Sequence, residues 1–235
     1  MNPFSKEQGG GARVIRSWPL SILFMISGAA ALIYQVAWGR AFTPIFGGTT
    51  RSAAAIVSVV FLGMALGNWL GGRWALTRAV SLRRYAWAEF LIAAGALLVM
   101  VWLSLYKWGY PALYSWGIQW PATIPAVQIV LGLVALGPPS VAMGATLPLM
   151  ARAVTDNVEK AGSRVGAAYA LNTLGATVGA GLAGFVLPDW LGTRGSLVLA
   201  MSLNVGVGVV AWRIALRGFS SEVDPGLAAS SATGF

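Results

Sequence analysis

The chain has 235 residues, 57% of them apolar and only 10% charged, where a soluble domain would carry about 25% charged residues. Cysteine and histidine are both absent, which excludes disulfides, thiolate nucleophiles, Cys/His zinc sites, His-ligated haem and histidine acid–base chemistry. The net charge of +9 would point to nucleic acid in a soluble protein. Here the basic residues flank apolar blocks close to the roughly 20 residues a helix needs to cross a bilayer. They therefore read as orientation signals and lipid-headgroup contacts, with no nucleic-acid partner.

Residues 1–17 form a polar, Gly-rich cytoplasmic tail with Lys6, Arg13 and Arg16. Gly9 to Gly11 make no phosphate loop, because no strand precedes them and no Gly-Lys-Ser/Thr follows. The hydropathy pattern predicts six transmembrane helices within 18–215: about Pro19–Trp38, Ala53–Leu76, Tyr85–Leu105, Ala126–Met150, Val165–Leu187 and Ser196–Ile214. The first could pass for a signal peptide, but its apolar stretch continues beyond the would-be cleavage site. Between spans three and four lies an aromatic loop with Trp108, Tyr110, Tyr114, Trp116 and Trp120, a composition suited to the membrane interface or to a short helix lying flat on it. Residues 216–235, rich in Ser, Ala and Gly, read as a disordered cytoplasmic tail. The fold class is thus an all-α integral membrane protein.

Orientation follows from Lys and Arg. One set of flanks holds Lys6, Arg13, Arg16, Arg73, Arg78, Arg83, Arg84, Arg152, Lys160, Arg164, Arg213 and Arg217. The opposite set holds only Arg40, Arg51, Lys107 and Arg194. The richer set is predicted inside, with both termini cytoplasmic. A repeat is also suggested. Gly39-Arg-Ala-Phe-Thr43 is echoed by Ala151-Arg-Ala-Val-Thr155, and an arginine (Arg51, Arg164) precedes a glycine-rich helix downstream of each. An offset of about 112 residues leaves three spans per half, and an odd number would make the halves inverted. Chance similarity between apolar segments is the alternative.

Span two carries Gly63, Gly67 and Gly71; span five carries Gly175 and Gly179. Glycines four apart give a smooth face on which another backbone packs by dispersion and weak Cα–H bonds. That face serves internal packing or a dimer. Glu89 is the only acid inside a span. It reads as a proton or cation site, or as a carboxyl near the interface paired with Arg73, Arg83 or Arg84. Gln35, Asn68, Gln128, Asn172 and Asn204 are amides in or near spans, and lipid offers them no partners. They either line one polar route or make separate interhelical bonds. Asn172 is the strongest single candidate for the route. Pro138, Pro139 and Pro148 predict a kinked fourth span, with freed carbonyls around Leu136.

Four segments resemble a known family. Ser27-Gly-Ala-Ala-Ala-Leu-Ile-Tyr-Gln-Val-Ala-Trp-Gly-Arg40 and Phe61-Leu-Gly-Met-Ala-Leu-Gly-Asn-Trp-Leu-Gly-Gly-Arg73 look like the first two membrane segments of the bacterial fused major-facilitator-like/spermidine synthase proteins. Met143-Gly-Ala-Thr-Leu-Pro-Leu-Met-Ala-Arg152 and Tyr169-Ala-Leu-Asn-Thr-Leu-Gly-Ala-Thr-Val-Gly-Ala180 look like their fourth and fifth. The resemblance covers about residues 25–210 and implies a multi-pass protein of the bacterial inner membrane. Fused members carry a soluble aminopropyltransferase domain with a Gly-rich cosubstrate loop. No such loop occurs here, so no catalytic residue, cofactor or metal site is carried over.

Two functions fit. One is a transporter-like module for a small cationic solute, routed past Gln35, Asn68, Glu89, Asn172 and Asn204. The other is a structural or anchoring subunit, whose glycine faces contact a second copy or another membrane or soluble protein.

Overall fold

The computed structural model describes residues 17–120, 123–155 and 158–222. The tail expected over 1–17, Ser17 apart, and the last thirteen residues of the tail expected over 216–235 lie outside them. Among the described residues there is no strand; six long helices follow one another: α1 (Ser17–Phe46), α2 (Thr50–Trp74), α3 (Arg78–Gln119), α4 (Ile124–Val154), α5 (Val158–Phe185) and α6 (Leu187–Glu222). Five of them, α1, α2, α3, α4 and α6, are long and apolar enough to cross a membrane. In α5 the glycines, threonines and asparagine of the charge-free stretch beyond Arg164 lower its hydropathy.

The outside of the bundle is apolar. Leu62, Leu97, Leu98, Val130, Val134 and Phe185 are all exposed, while Ser27, Ser140, Glu89 and Asn204 are buried. This inverts the distribution in a water-soluble bundle and suits a hydrocarbon surround.

Helix ends differ from the hydropathy boundaries. Gly47, at φ +84°, ends α1 eight residues beyond the expected limit. Its N–H donates to the Thr43 carbonyl (2.9 Å), the cap that a glycine accepts without a Cβ clash. The aromatic loop predicted after span three is instead a continuation of α3 through Pro111 to Gln119. At 1.5 Å per residue this helix is about 63 Å long, roughly twice the hydrocarbon core. Its apolar window closes at Tyr106, so the aromatic residues beyond it prolong the helix past the core. α4 remains continuous through Pro138, Pro139 and Pro148. The carbonyl of Leu136 accepts the buried Ser140 hydroxyl at 2.6 Å and is therefore occupied. The acceptors that the two adjacent prolines free belong to Val134 and Ala135, four residues earlier.

Packing joins helices distant in sequence. α1 packs along α5, α2 along α4, α3 along both α4 and α6, and α1 along α6. Exchanging α1 with α4, α2 with α5 and α3 with α6 maps this set of contacts onto itself. The glycines give the correspondence at residue level. A methyl on Gly63 or Gly67 would meet the carbonyls of Gly137 and Val141; one on Gly175 or Gly179 would meet those of Met25 and Ala29. Each of these four positions in the first half lies 112 residues before its counterpart in the second. The glycine faces of α2 and α5 are thus filled from within the chain, by α4 and α1.

The apolar core falls into two clusters. One runs through Ala30, Tyr34, Trp38, Ile92, Ala96, Met143 and Ala200. The other runs through Phe24, Tyr85, Ala88, Ala145 and Val207. They separate at a single level, marked by Ser27 on α1, Glu89 on α3, Gly144 on α4 and Asn204 on α6.

Candidate functional site: a buried acid behind a polar cleft

Glu89 occupies that level and is wholly buried (0% exposed). α3 begins at Arg78, seven residues before the boundary expected from hydropathy, so Glu89 lies about 16 Å along the helix. That is about three turns into the helix, where the packed helices close the carboxyl off from the surface.

No ion pair to Glu89 is found among the described residues. Arg84 donates to the Trp74 carbonyl, the Arg73 guanidinium lies 3.9 Å above the Trp69 ring, and Arg83 is exposed. The partner of Glu89 is an amide. Asn204, 1% exposed, donates through Nδ2 to Glu89 Oε2. The hydroxyls of Ser27 and Tyr85 approach the same carboxyl, Tyr85 without closing a regular hydrogen bond. Glu89 Oε1, Asn204 Oδ1 and the hydroxyls of Tyr85 and Tyr34 are buried with no hydrogen-bond partner among the described residues. Unmet polar groups cost about 1–3 kcal/mol each, so this layer holds a reserve of hydrogen-bonding capacity. With a carboxylate, Oε1 and Oδ1 are both acceptors. A neutral acid supplies one donor, which can serve Oδ1.

Local sequence explains how the group assembles. Tyr85 and Glu89 are four residues apart and share a face of α3. Ser27, Tyr34 and Trp38 recur at helical spacing on the buried stripe of α1, with the Tyr34 and Trp38 rings stacked at 5.1 Å. That periodicity could have drawn attention to Ser27, Tyr34 and Tyr85, which reasoning from charges and amides alone passed over.

In front of this layer lies a cleft of about 410 Å³. α2 and α5 do not pack extensively on each other, and the cleft opens between them. α2 contributes Phe61, Met64, Ala65 and Asn68. α5 contributes Tyr169, Asn172, Thr173 and Ala176. Ser27, Ala31, Ile92, Thr146 and Asn204 stand among its deeper lining. Three of the five expected route residues, Asn68, Asn172 and Asn204, therefore line one cavity, and Glu89 joins them through Asn204. Gln35 does not. It lines a separate cavity of about 290 Å³ with Gly39, Thr43 and Gly47, near the α1–α2 turn.

The amides other than Asn204 differ in their bonding. Asn172 donates to the Phe24 carbonyl at 2.7 Å and so ties α5 to α1. Gln128 likewise donates to the Phe46 carbonyl at the end of α1, at 3.3 Å. Asn68 is exposed on α2. Among the described residues, no group of three or more acidic residues could hold a metal ion.

Compared with known proteins, the chain matches no family model, no curated protein and no solved structure.

Proposed function

We propose that this chain is a six-span, transporter-like membrane module that carries a small, singly charged cation through the α2–α5 cleft to Glu89. The observation that supports this reading most is the convergence of Asn68, Asn172 and Asn204 on one cleft whose inner wall is backed by the only buried acid among the described residues. A cation crossing a low-dielectric region needs acid and amide oxygens in succession. A single carboxylate balances a single positive charge, which argues against a polyamine.

At rest Glu89 is a neutral acid held by Asn204. An arriving cation replaces the proton and pairs with the carboxylate, and the proton leaves by the same route. The fifth of the six spans is α5, whose Val165–Phe185 stretch carries no charge and, at about 31 Å, matches the core. The exchange relation between the helices, and the 112-residue offset of the glycine contacts, favour two inverted three-helix halves. The distribution of Lys and Arg favours cytoplasmic termini, in keeping with the resemblance to the membrane part of the fused synthases of the bacterial inner membrane.

A second reading, an anchoring subunit without transport, draws on Asn172, whose donor holds a helix pair together, and on Gln35, which stands apart. Purified protein in proteoliposomes, loaded with a panel of monovalent inorganic and ammonium cations, separates the two. Transport predicts counterflow of at least one cation and its loss in Glu89→Gln. No flux of any cation in the wild type, or unchanged flux in Glu89→Gln, favours the anchor.

A further inference from the structure

A second cavity, of about 650 Å³, lies at the opposite end of the bundle from the start of α1. Its lining combines Arg40, Thr193 and Arg194 with the apolar Ile45, Met100, Leu103 and Leu197, and includes Ser104 and Tyr106. Only four basic residues flank the spans at this end, and two of them meet here. Orientation signals need no such convergence, since they act by their number on one side of the membrane.

Both guanidiniums are accessible, and neither pairs with a carboxylate among the described residues. Arg40 has one N–H fixed on the Gly184 carbonyl at 2.8 Å, which holds its remaining donors in place. Asp189, the acid nearest in sequence, is exposed and does not line the cavity. Gly192 interrupts α6 with φ +64°, so a fresh helical segment begins at Thr193. The positive end of that segment then falls beside the two arginines. The rest of the lining is mostly apolar and comes from α1, α3 and α6, with Leu197 buried and Ile45, Met100 and Leu103 half-buried.

From this combination we infer that Arg40 and Arg194 bind the phosphate of an anionic ligand, and that the groove of Ile45, Met100, Leu103 and Leu197 receives an attached acyl chain. Arginine forks match phosphate oxygens two at a time, while Met100 and Leu103 of α3, with Ile45 of α1 and Leu197 of α6, offer an apolar lining for hydrocarbon. The same phosphate chemistry could come from a lipid headgroup or from free phosphate. Neither depends on the transport reading.

The experiment compares retention of phosphatidylglycerol and phosphatidylcholine by the full chain, using native mass spectrometry and thermal unfolding in detergent, with inorganic phosphate as a separate probe. The expected result is one tightly held phosphatidylglycerol, retained at least tenfold better than phosphatidylcholine. Arg194→Gln should abolish the preference, because Arg194 makes no described protein hydrogen bond and its loss should leave the fold intact. Arg83→Gln, at the other end, should not. Leu103→Trp, which fills the groove but keeps both arginines, should weaken lipid retention and spare any stabilisation by inorganic phosphate. Stabilisation by inorganic phosphate that Arg194→Gln removes, without a lipid preference, would assign the site to free phosphate and keep the anion site. Equal retention of the two lipids with no phosphate effect overturns it. So does a phosphatidylglycerol preference that survives both Arg194→Gln and the double Arg40→Gln/Arg194→Gln variant.

Discussion

Replacing Gly67 by alanine tests whether the small-residue seam holds the bundle together. A methyl there would overlap the Val141 carbonyl oxygen and come within 3.0 Å of the Ala145 nitrogen. Both are backbone atoms of a packed helix and cannot rotate away, so α2 and α4 must move apart. An opening of about 0.5–1 Å forfeits a quarter to a half of each contact along the seam, and overpacking of this kind costs about 1–3 kcal/mol. The alanine recovers up to ~1 kcal/mol of helix propensity. Gly72, five residues on, supplies the control: a methyl there meets nothing within 4 Å, so Gly72→Ala keeps the propensity gain and incurs no clash. The two variants should differ by about 2 kcal/mol, roughly a 30-fold change in the unfolding equilibrium. Titration of detergent micelles with sodium dodecyl sulfate, followed by tryptophan fluorescence, reads that difference. If Gly67→Ala unfolds at the same midpoint as Gly72→Ala, the close approach of α2 and α4 is wrong. The second half should behave alike, with Gly179→Ala destabilised relative to Gly181→Ala, which again meets open space.

Three further outcomes follow from the acid layer and its surroundings. Glu89→Gln keeps the shape and the hydrogen bond to Asn204 and should change stability by less than about 1 kcal/mol, whereas Glu89→Ala strands Asn204 and leaves a cavity, costing about 2–4 kcal/mol; the same micelle titration compares them. Infrared difference spectra of the wild type should show a neutral carboxyl band that Glu89→Gln removes, and a band that persists in the variant would assign it elsewhere. Asn172→Ala should cost about 0.5–1.5 kcal/mol through loss of the bond to the Phe24 carbonyl, and a double-mutant cycle with Gly28→Ala should show coupling, because Gly28 lies against Asn172.

Hydropathy made the long helices legible, and the glycine spacing marked the faces on which they pack. It could not say which helices meet, because α2 finds α4 and α5 finds α1 across most of the chain. Glu89 stood out as the one acid in a span, yet its burial against Asn204, with no arginine partner among the described residues, depended on how α6 packs on α3. Thr77 precedes α3 without a side-chain capping bond, and hydropathy placed the start of that helix seven residues late. The amides were individually visible and chemically equivalent on paper. Only the rotation of α6 against α3 selects Asn204 as the partner of the acid, while the rotation of α5 against α1 commits Asn172 to a backbone carbonyl. Gln35 lies outside the cleft for the same reason: two turns beyond Ser27 on α1, it lines a separate cavity near the α1–α2 turn. The length of α3 was hidden because its last turns are aromatic and interrupted by Pro111, a pattern that resembles an interfacial loop.

The absence of cysteine permits the most direct test of a water-accessible cleft leading to the buried acid. Single cysteines at Ala65, Asn68, Thr173 and Ala31 line the cleft from mouth to floor, while cysteines at Val134 and Val178 replace residues exposed on the outer surface of the bundle. A membrane-impermeant maleimide applied to protein in liposomes should label the four cleft positions and leave the two outer positions unmodified. Equal protection of cleft and outer cysteines would contradict the account, because a dry cleft offers a cation no path to Glu89.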